Sequence, residues 1–179
     1  PLHAVQLQRM KEHFHTSYTY ESNRIEGNTL TLQETFLVVS QGITIGGKSM
    51  REHLEAINHA EAIVLLEELV QQKTPFNRFV LLQLHGLILR NIDRANAGVY
   101  RRVPVRISGS SHIPPEPWQL DALMDAYFEQ YTQLRKQLHP VILAAEMHER
   151  LVSIHPFTDG NGRTSRLVMN LVLLQNGFT

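Results

Sequence analysis

The sequence predicts a mainly α-helical fold that carries one short β-hairpin. Two observations favour helices: capping-box patterns at Thr31–Glu34 and Ser49–Glu52, and apolar residues that recur at helical spacing after the second box. The hairpin is predicted at Val103–Ile113, where apolar residues alternate with proline and arginine before a Gly-Ser-Ser turn. No repeat, low-complexity tract or linker divides the chain, so we expect one domain over residues 1–179.

Start and stop signals place the helices in order. The first helix ends near Gly27, which suits a C-cap. The Thr31 box opens the second, and the Ser49 box opens a long amphipathic helix over about Met50–Gln72. The later segments run from Thr74-Pro75 to about Leu89, from Pro117 to about Leu138, over Val141–Ile154, and over Asn161–Gln175 with Asn176-Gly177 as C-cap. Because Leu167–Leu174 is apolar nearly all round, the last helix is predicted to be central and buried.

Composition and charge exclude several classes of function. Lys+Arg and Asp+Glu number 17 each, and the resulting net charge of zero argues against a sequence-independent nucleic-acid partner. Cysteine is absent, which excludes disulfides, thiolate metal sites and cysteine nucleophiles and fits a cytoplasmic location. Unbroken apolar stretches are too short to cross a bilayer, so we expect no membrane partner. Apolar faces on the outer helices leave room for a homodimer.

The segment His155–Arg166 contains the residues that predict chemistry. Gly160 and Gly162 permit a sharp turn and a close approach to a ligand, and the N–H groups at the start of the following helix form an anion site. Arg163 and Arg166 lie three apart in the first turn of that helix. Cations there oppose the helix dipole, which indicates that a polyanion lies between them.

Asp159 and His155 add a metal ligand and a base to this segment. A single carboxylate suits Mg²⁺, which proteins usually hold with one or two carboxylates and substrate phosphates. A histidine titrates near neutrality and can act as a general base. Each residue alone is more often structural, but their density favours function. The segment therefore predicts a site for a nucleotide with its metal, together with a base that activates a nucleophile.

The same segment resembles the signature of the Fic family of nucleotidyl transferases, His-x-Phe-x-(Asp/Glu)-Gly-Asn-Gly-Arg-x-x-Arg, and matches every defined position. It differs from the related Doc kinase pattern, in which Ala-Asn-Lys replaces Gly-Asn-Gly. The similarity includes Ala97–Arg101 and extends from about Ser17 to the end of the chain. The resemblance implies a Fic-like helical bundle with a short β-hairpin flap. It also implies transfer of AMP from ATP to a Ser, Thr or Tyr hydroxyl of a protein target.

The resemblance implies a role for each signature residue. His155 would take the proton from the target hydroxyl, and Asp159 would hold Mg²⁺ between the α- and β-phosphates. The anion nest would consist of Gly160, Asn161 and Gly162, and the β- and γ-phosphates would be neutralised by Arg163 and Arg166. The flap would align the target backbone by strand addition through Ser110, Ser111, His112 and Ile113. An ordinary surface hairpin is the alternative for the flap.

A second motif, Ser22-Asn23-Arg24-Ile25-Glu26-Gly27, resembles the family's inhibitory sequence, (Ser/Thr)-x-x-x-Glu-(Gly/Asn). Ser22 and Glu26 lie four apart, on one face at the end of the first helix. A carboxylate near a helix C-terminus opposes the dipole and gains from a cation elsewhere. The resemblance implies that Arg166 is that cation and that residues 1–28 form an inhibitory segment. While paired with Glu26, Arg166 would be unavailable to the γ-phosphate. ATP would then bind in a pose unsuited to in-line attack.

Three functions remain open at this point. The first is an auto-inhibited protein adenylyltransferase. The second is a phosphodiesterase that removes AMP from a modified protein with the same His155, Asp159 and metal. The third is a non-catalytic regulator that only senses the nucleotide, against which the intact signature counts.

Overall fold

Seven α-helices and one short 3-10 helix form the part of the chain that the computed structural model describes, residues 4–178. The bounds are α1 Ala4–Ile25, α2 Leu32–Gln41, α3 Met50–Gln71, α4 Arg78–Ile88, the 3-10 helix Pro117–Gln119, α5 Leu120–Leu134, α6 Pro140–Ile154 and α7 Asn161–Gln175. The mainly α-helical fold class is confirmed. Within these residues, none of the helices is sufficiently long and apolar to span a membrane.

Local capping explains why most helix ends match their predicted places. Thr31 accepts a hydrogen bond from the backbone of Glu34 at the start of α2, and Ser49 does the same for Glu52 at the start of α3. Both capping boxes are complete because each glutamate also accepts from the backbone N–H of its N-cap residue. The long helix α3 and the final helix α7 have the predicted extents to within one residue.

Two helix boundaries differ from prediction. Helix α4 begins at Arg78 instead of Pro75, because the Asn77 side chain caps it by accepting from Val80 N at 3.1 Å. The preceding Phe76 is 5% exposed and packs against the rings of α5, so it belongs to the core instead of the helix. Helix α5 ends at Leu134, four residues early, and the chain continues in i→i−3 turns such as Gln137 N to Leu134 O.

The predicted hairpin at Val103–Ile113 is wrong, since the described residues form no β-strand there. The segment is an extended loop with one turn, closed by a hydrogen bond from Ser110 N to Ile107 O at 3.2 Å. Pro104 removes a backbone donor, and the carbonyl of Val103 is bonded to a guanidinium instead of an opposing strand. An isolated pair of strands without a third is marginal in water, so these losses suffice to prevent pairing.

Helix α7 lies at the centre of the core, as its apolar sequence predicts. It packs against α1, α3, α4 and α6. The buried residues of its apolar face are all 0% exposed: Leu167, Val168, Leu171 and Val172. Because α7 is held on several sides, its N-terminus is a fixed point around which loop and helix ends from distant parts of the sequence converge.

Candidate functional site

The site lies where α6 ends and α7 begins. His155 is the C-cap of α6 and donates its backbone N–H to Leu151 O at 3.0 Å. It has φ 51° and ψ 57°, a left-handed conformation that few non-glycine residues adopt. Gly160, with φ 75°, is the N-cap of α7. A residue in the left-handed backbone conformation therefore turns the chain sharply at each of the two ends of this short loop.

The His155 ring is oriented as a base. Its Nδ1 lies 3.1 Å from Val152 O, and because a carbonyl only accepts, Nδ1 carries the proton and Nε2 is the basic nitrogen. Burial lowers the pKa of His155 below its ordinary 6.5, and the neighbouring Arg101 lowers it further, while the bond to Val152 acts in the opposite direction. The ring is therefore mostly neutral at pH 7 and can accept a proton.

The Asn161 side chain holds the loop closed. Its Oδ1 accepts from Phe157 N at 2.9 Å, and its Nδ2 donates to Phe157 O at 2.8 Å. Asn161 is 3% exposed and Phe157 is 0% exposed. Both side chains thus serve the shape of the loop, so Asn161 can contact a bound anion only through its backbone N–H.

The start of α7 is open to an anion. Its N-cap Gly160 provides no side-chain hydrogen bond, in contrast to Thr31, Ser49 and Asn77 at the starts of α2, α3 and α4. The N–H groups of a first helical turn have no partner within the helix. The Glu26 carboxylate lies beside this helix start, since a Cβ built on Gly162 would collide with Glu26 Oε1. Glycine at position 162 lets the carboxylate come this close.

Arg166 joins the same carboxylate to α1. Its Nη2 lies 2.6 Å from Glu26 Oε1 and 2.8 Å from Ser22 O, and its Nε donates to Ser22 Oγ at 3.0 Å. The Arg166 side chain is 14% exposed and the Glu26 side chain 32%, so solvent reaches the carboxylate side of this pair. The structure therefore brings together Ser22, Glu26 and Arg166, the three residues that the inhibitory motif pairs.

Four charged side chains form a closed ring beside the loop. Arg51 Nη2 lies 2.6 Å from Asp159 Oδ2, and Arg163 Nη2 lies 3.1 Å from Asp159 Oδ1. The ring closes through Glu55 Oε1, which lies 3.1 Å from Arg51 Nε and 3.4 Å from Arg163 Nη1. Opposite charges alternate, so the ring is neutral as a whole. It lies between α3 and the start of α7.

Arg163 points into the protein in this arrangement. Its side chain is 2% exposed and faces Asp159 and Glu55. Arg166, at 14%, lies nearer the surface. The two guanidinium groups that the sequence places side by side are therefore in different surroundings. The phosphate contact of Arg163 stays a prediction.

The Asp159 carboxylate fits a magnesium ion. Burial alone would raise its pKa, but Arg163, the N–H of Gly160 and Arg51 together lower the pKa below its usual value, so the group is ionised at neutral pH. The Asp159 side chain is 40% exposed, and Arg51, one of its two ion-pair partners, is 58% exposed. Among the described residues no three His, Cys, Asp or Glu side chains cluster as a metal site. A donor set of one carboxylate plus phosphates is the kind that Mg²⁺ accepts.

Arg101 holds the two ends of the predicted flap loop. This side chain donates to His155 O at 2.8 Å, to Val103 O at 3.1 Å and to Pro115 O, so it connects both ends of the flap loop to the base. His112 lies 2.8 Å, through Nε2, from Ser153 O in the last turn of α6. Ile113 is 63% exposed. The roles of Ser110, Ser111, His112 and Ile113 in target alignment stay predictions.

Sequence reasoning missed four residues of the site: Arg51, Glu55, His85 and Arg101. Arg51 and Glu55 lie in the first turns of α3, where the sequence shows only an ordinary capped helix. His85 lies on α4 with no other signature nearby in the sequence. Arg101 had a signal, since it ends the Ala97–Arg101 stretch that is part of the resemblance.

Comparison with known proteins identifies relatives of the whole chain. A model of the Fic/DOC family matches residues 75–173. Proteins named Protein adenylyltransferase Fic from Drosophila grimshawi and Drosophila melanogaster are each 39% identical over 174 residues, which is 96% of this chain. The chain spans only 35% of the length of these relatives.

Solved structures show the same fold. A Fic domain containing signaling protein from Bacteroides thetaiotaomicron superposes with a TM-score of 0.89 at 33% identity, covering 99% of this chain and 68% of that chain. A Fic-1 fragment from C. elegans superposes with a TM-score of 0.85 at 32% identity, covering 99% of this chain and 52% of that one.

Proposed function

Because the chain belongs to the Fic/DOC family, we propose that it is an auto-inhibited protein adenylyltransferase that uses ATP to modify a Ser, Thr or Tyr hydroxyl. The observation that carries the proposal is the uncapped start of α7, beside which the Glu26 carboxylate of the chain itself lies, paired with Arg166. A helix start of this kind binds anions, and Arg166 adds a cation to it. The names of the relatives support AMP transfer as the reaction.

The reaction needs a base and a bound triphosphate. His155 Nε2 accepts the proton of the target hydroxyl, whose oxygen then attacks the α-phosphorus of ATP. A new oxygen–phosphorus bond forms to the target, the bond between the α- and β-phosphates breaks, and pyrophosphate leaves. The backbone N–H groups of Asn161 and Gly162 and the guanidinium of Arg166 bind the phosphate oxygens, so most of the rate enhancement comes from positioning and charge stabilisation.

Asp159 is the residue that would hold magnesium with the phosphates. The ion, when bound, neutralises phosphate charge and makes pyrophosphate a better leaving group. Arg163 and the Gly160 N–H keep the Asp159 carboxylate ionised and oriented. The absence of cysteine supports a reducing, cytoplasmic location for this reaction.

Glu26 inhibits the site by substituting for a phosphate. Its carboxylate pairs with the Arg166 guanidinium and lies against Gly162 in the first turn of α7, where a terminal phosphate would bind. Charge-assisted arginine–carboxylate bonds are strong enough to compete with arginine–phosphate bonds. Removal of Glu26 therefore frees the guanidinium and the space beside Gly162 for ATP.

We expect Glu26→Gly to activate the protein. Labelling of protein with α-³²P-ATP and Mg²⁺ should be close to background in the unmodified protein and about tenfold or more higher in the variant, since a charged hydrogen bond is lost. The measurement is autoradiography of the protein after gel electrophoresis. Label from γ-³²P-ATP should stay absent, because pyrophosphate leaves with the γ-phosphate.

Glu21→Gly is the matched control, since Glu21 lies near the end of α1, close to Glu26 in the sequence, but pairs with Arg24 instead of Arg166. It should leave labelling at background. Equal labelling by the unmodified protein and Glu26→Gly would contradict auto-inhibition. No α-label in either, with both folded by circular dichroism and supplied with candidate target extracts, would contradict the transferase.

A further inference from the structure

His85 lies directly beneath the loop that binds the phosphates, and the reaction above does not use it. It is 0% exposed on α4. Its ring stacks on the ring of Phe157, with centroids 3.6 Å apart and an interplanar angle of 7°. The stack fixes the plane of the imidazole, so its two nitrogens can meet partners only in that plane.

Two backbone groups determine which nitrogen carries the proton. Gly98 N–H donates to Nδ1 at 3.0 Å, which requires an unprotonated Nδ1. The proton is therefore on Nε2, which lies 3.0 Å from the carbonyl oxygen of Asp159 and donates to it. Since one ring nitrogen accepts and the other donates, this pattern of hydrogen bonds is that of a neutral ring.

The bond to Asp159 O orients the peptide between Asp159 and Gly160. In a trans peptide the C=O and N–H point in opposite directions. With the carbonyl directed at His85, the Gly160 N–H points away from α4 and donates to the Asp159 carboxylate. A Cβ on Gly160 would lie 3.4 Å from His85 Nε2 and 3.1 Å from Ile88 Cγ2, so this close contact requires glycine.

We propose that His85 is a positioning residue for the phosphate- and metal-binding loop, acting through its bond to the Asp159 carbonyl. It holds the Asp159 carboxylate and the Gly160 N–H in the orientation that Mg·ATP needs, and the identity of that ligand rests on the proposed function. Its bond to Gly98 connects the loop to the segment that leads into Arg101 and the flap. His85 itself contacts neither nucleotide nor target.

Asparagine and glutamine at position 85 separate the two bonds. In the Glu26→Gly protein, His85→Gln places an amide nitrogen near the position of Nε2, so the donor to Asp159 is kept. His85→Asn places a carbonyl oxygen near the position of Nδ1, so the acceptor for Gly98 is kept and the donor to Asp159 is lost. We expect KM for Mg·ATP to rise about tenfold in His85→Asn and less than about threefold in His85→Gln, with kcat changed little in both.

Binding of α,β-methylene-ATP with Mg²⁺, measured by calorimetry, tests the positioning without any transfer. His85→Asn should bind it about tenfold more weakly than the parent, and His85→Gln should bind nearly as well. Equal affinity of the parent and His85→Asn would overturn the proposal. If no protein were labelled by α-³²P-ATP but the variants still differed in affinity as expected, the transferase function would be contradicted and the positioning role of His85 would be supported.

Nitrogen NMR of ¹⁵N-histidine-labelled Glu26→Gly protein tests the tautomer even where a variant does not fold. The His85 signals can be assigned by their loss in either variant or by scalar coupling across the hydrogen bond to Gly98. We expect them to show a neutral ring at pH 7 that is protonated on Nε2. An Nδ1-protonated or doubly protonated ring would overturn the proposal, because neither could accept from Gly98 while donating to Asp159.

Discussion

His155 combines two properties that a general base needs. The bond from Nδ1 to Val152 O leaves Nε2 basic, and burial lowers the pKa of the ring so that it is neutral at pH 7. Its left-handed backbone is held by the bond between its carbonyl and Arg101. The residue is thus positioned by Val152 and Arg101, neither of which belongs to the groups proposed to bind phosphate.

His155→Ala in the Glu26→Gly background should therefore abolish transfer and keep nucleotide binding. Loss of a general base costs about 10²–10⁴-fold in rate. The measurements are α-³²P-ATP labelling and calorimetric binding of ATP. An equal loss of binding would show that the ring supports the loop instead of the chemistry.

Arg51 occupies an oxygen of Asp159 that a magnesium ion would need. The guanidinium is 58% exposed, so the ion pair is weak enough to open. We expect Arg51→Ala in the Glu26→Gly protein to raise the affinity for Mn²⁺, used in place of Mg²⁺, about two- to fivefold. Electron paramagnetic resonance with α,β-methylene-ATP present measures this affinity. Arg150→Ala, which removes a comparably exposed pair with Glu146, is the control, and an unchanged or weaker Mn²⁺ affinity in Arg51→Ala would contradict the expectation.

At the scale of single elements, the start of α3 connects the chain that follows α1 to the charged ring. Glu52 accepts from Ser49 N through Oε2 and from Thr29 N through Oε1, so the capping residue of α3 also holds the chain that follows Glu26. Asn28 donates to Glu55 Oε2 at 3.0 Å. Two side chains near the start of α3 therefore fix where the N-terminal segment leaves the site.

Glu52→Gln should lower the free energy of unfolding by about 1 kcal/mol, the ordinary worth of a helix cap, since solvent screening keeps an exposed group near that value. Bonds from Thr29 and Ser49 lower the pKa of Glu52 to about 2 from its ordinary 4.5. Its contribution is therefore complete above about pH 4.5 and is lost as the pH falls towards 2. Urea unfolding of both proteins between pH 7 and pH 3 measures the difference.

Glu68→Gln, on an exposed part of the same helix, is the control for charge removal from α3. It should change the unfolding free energy by less than about 0.5 kcal/mol. A Glu52→Gln protein as stable as the parent at pH 7 would show that the capping box of α3 is energetically unimportant.

At the scale of the whole molecule, α1 and α7 differ in the kind of side chain that they bury. The buried side chains of α7 include a continuous apolar face. The residues of α1 that are buried, within the described part of the chain, are all polar: Thr16, Thr19, Ser22 and Asn23. Tyr18 of α1 is partly buried against the main core. Because a largely polar interface gains less from the hydrophobic effect, hydrogen bonds and the ion pairs with Glu67 and between Arg166 and Glu26 contribute much of what holds α1.

Hydrogen exchange should therefore be faster in α1 than in α7. Mass spectrometry should show the amides of residues 15–25 exchanging before those of residues 163–173, and Glu26→Gly should accelerate the former about tenfold. Exchange in α7 should be unaffected. Equal protection of the two helices, or no effect of Glu26→Gly on α1, would show that the ion pair does not hold the helix.

The sequence alone determined the helices whose ends are encoded locally. The Thr31 and Ser49 boxes, the apolar face of α7 and its Asn176-Gly177 end depend on contacts between residues three or four apart, which are visible in any linear reading. The signature His155–Arg166 was visible for the same reason. The hairpin was predicted wrongly because Arg101, which lies outside it, binds the carbonyl of Val103. The start of α4 was predicted wrongly because Phe76 packs against α5, which is distant in sequence.

The tertiary structure decided which partner each site residue has. Arg51 and Asp159 are 108 residues apart, Arg166 and Ser22 are 144 apart, and His85 and Asp159 are 74 apart. Local spacing treats Arg163 and Arg166 as equivalent, yet one is buried against Glu55 and the other meets α1. Such pairs arise only when packing around α7 brings separate helices together, because a charged or polar side chain pairs with whatever group the core places within reach.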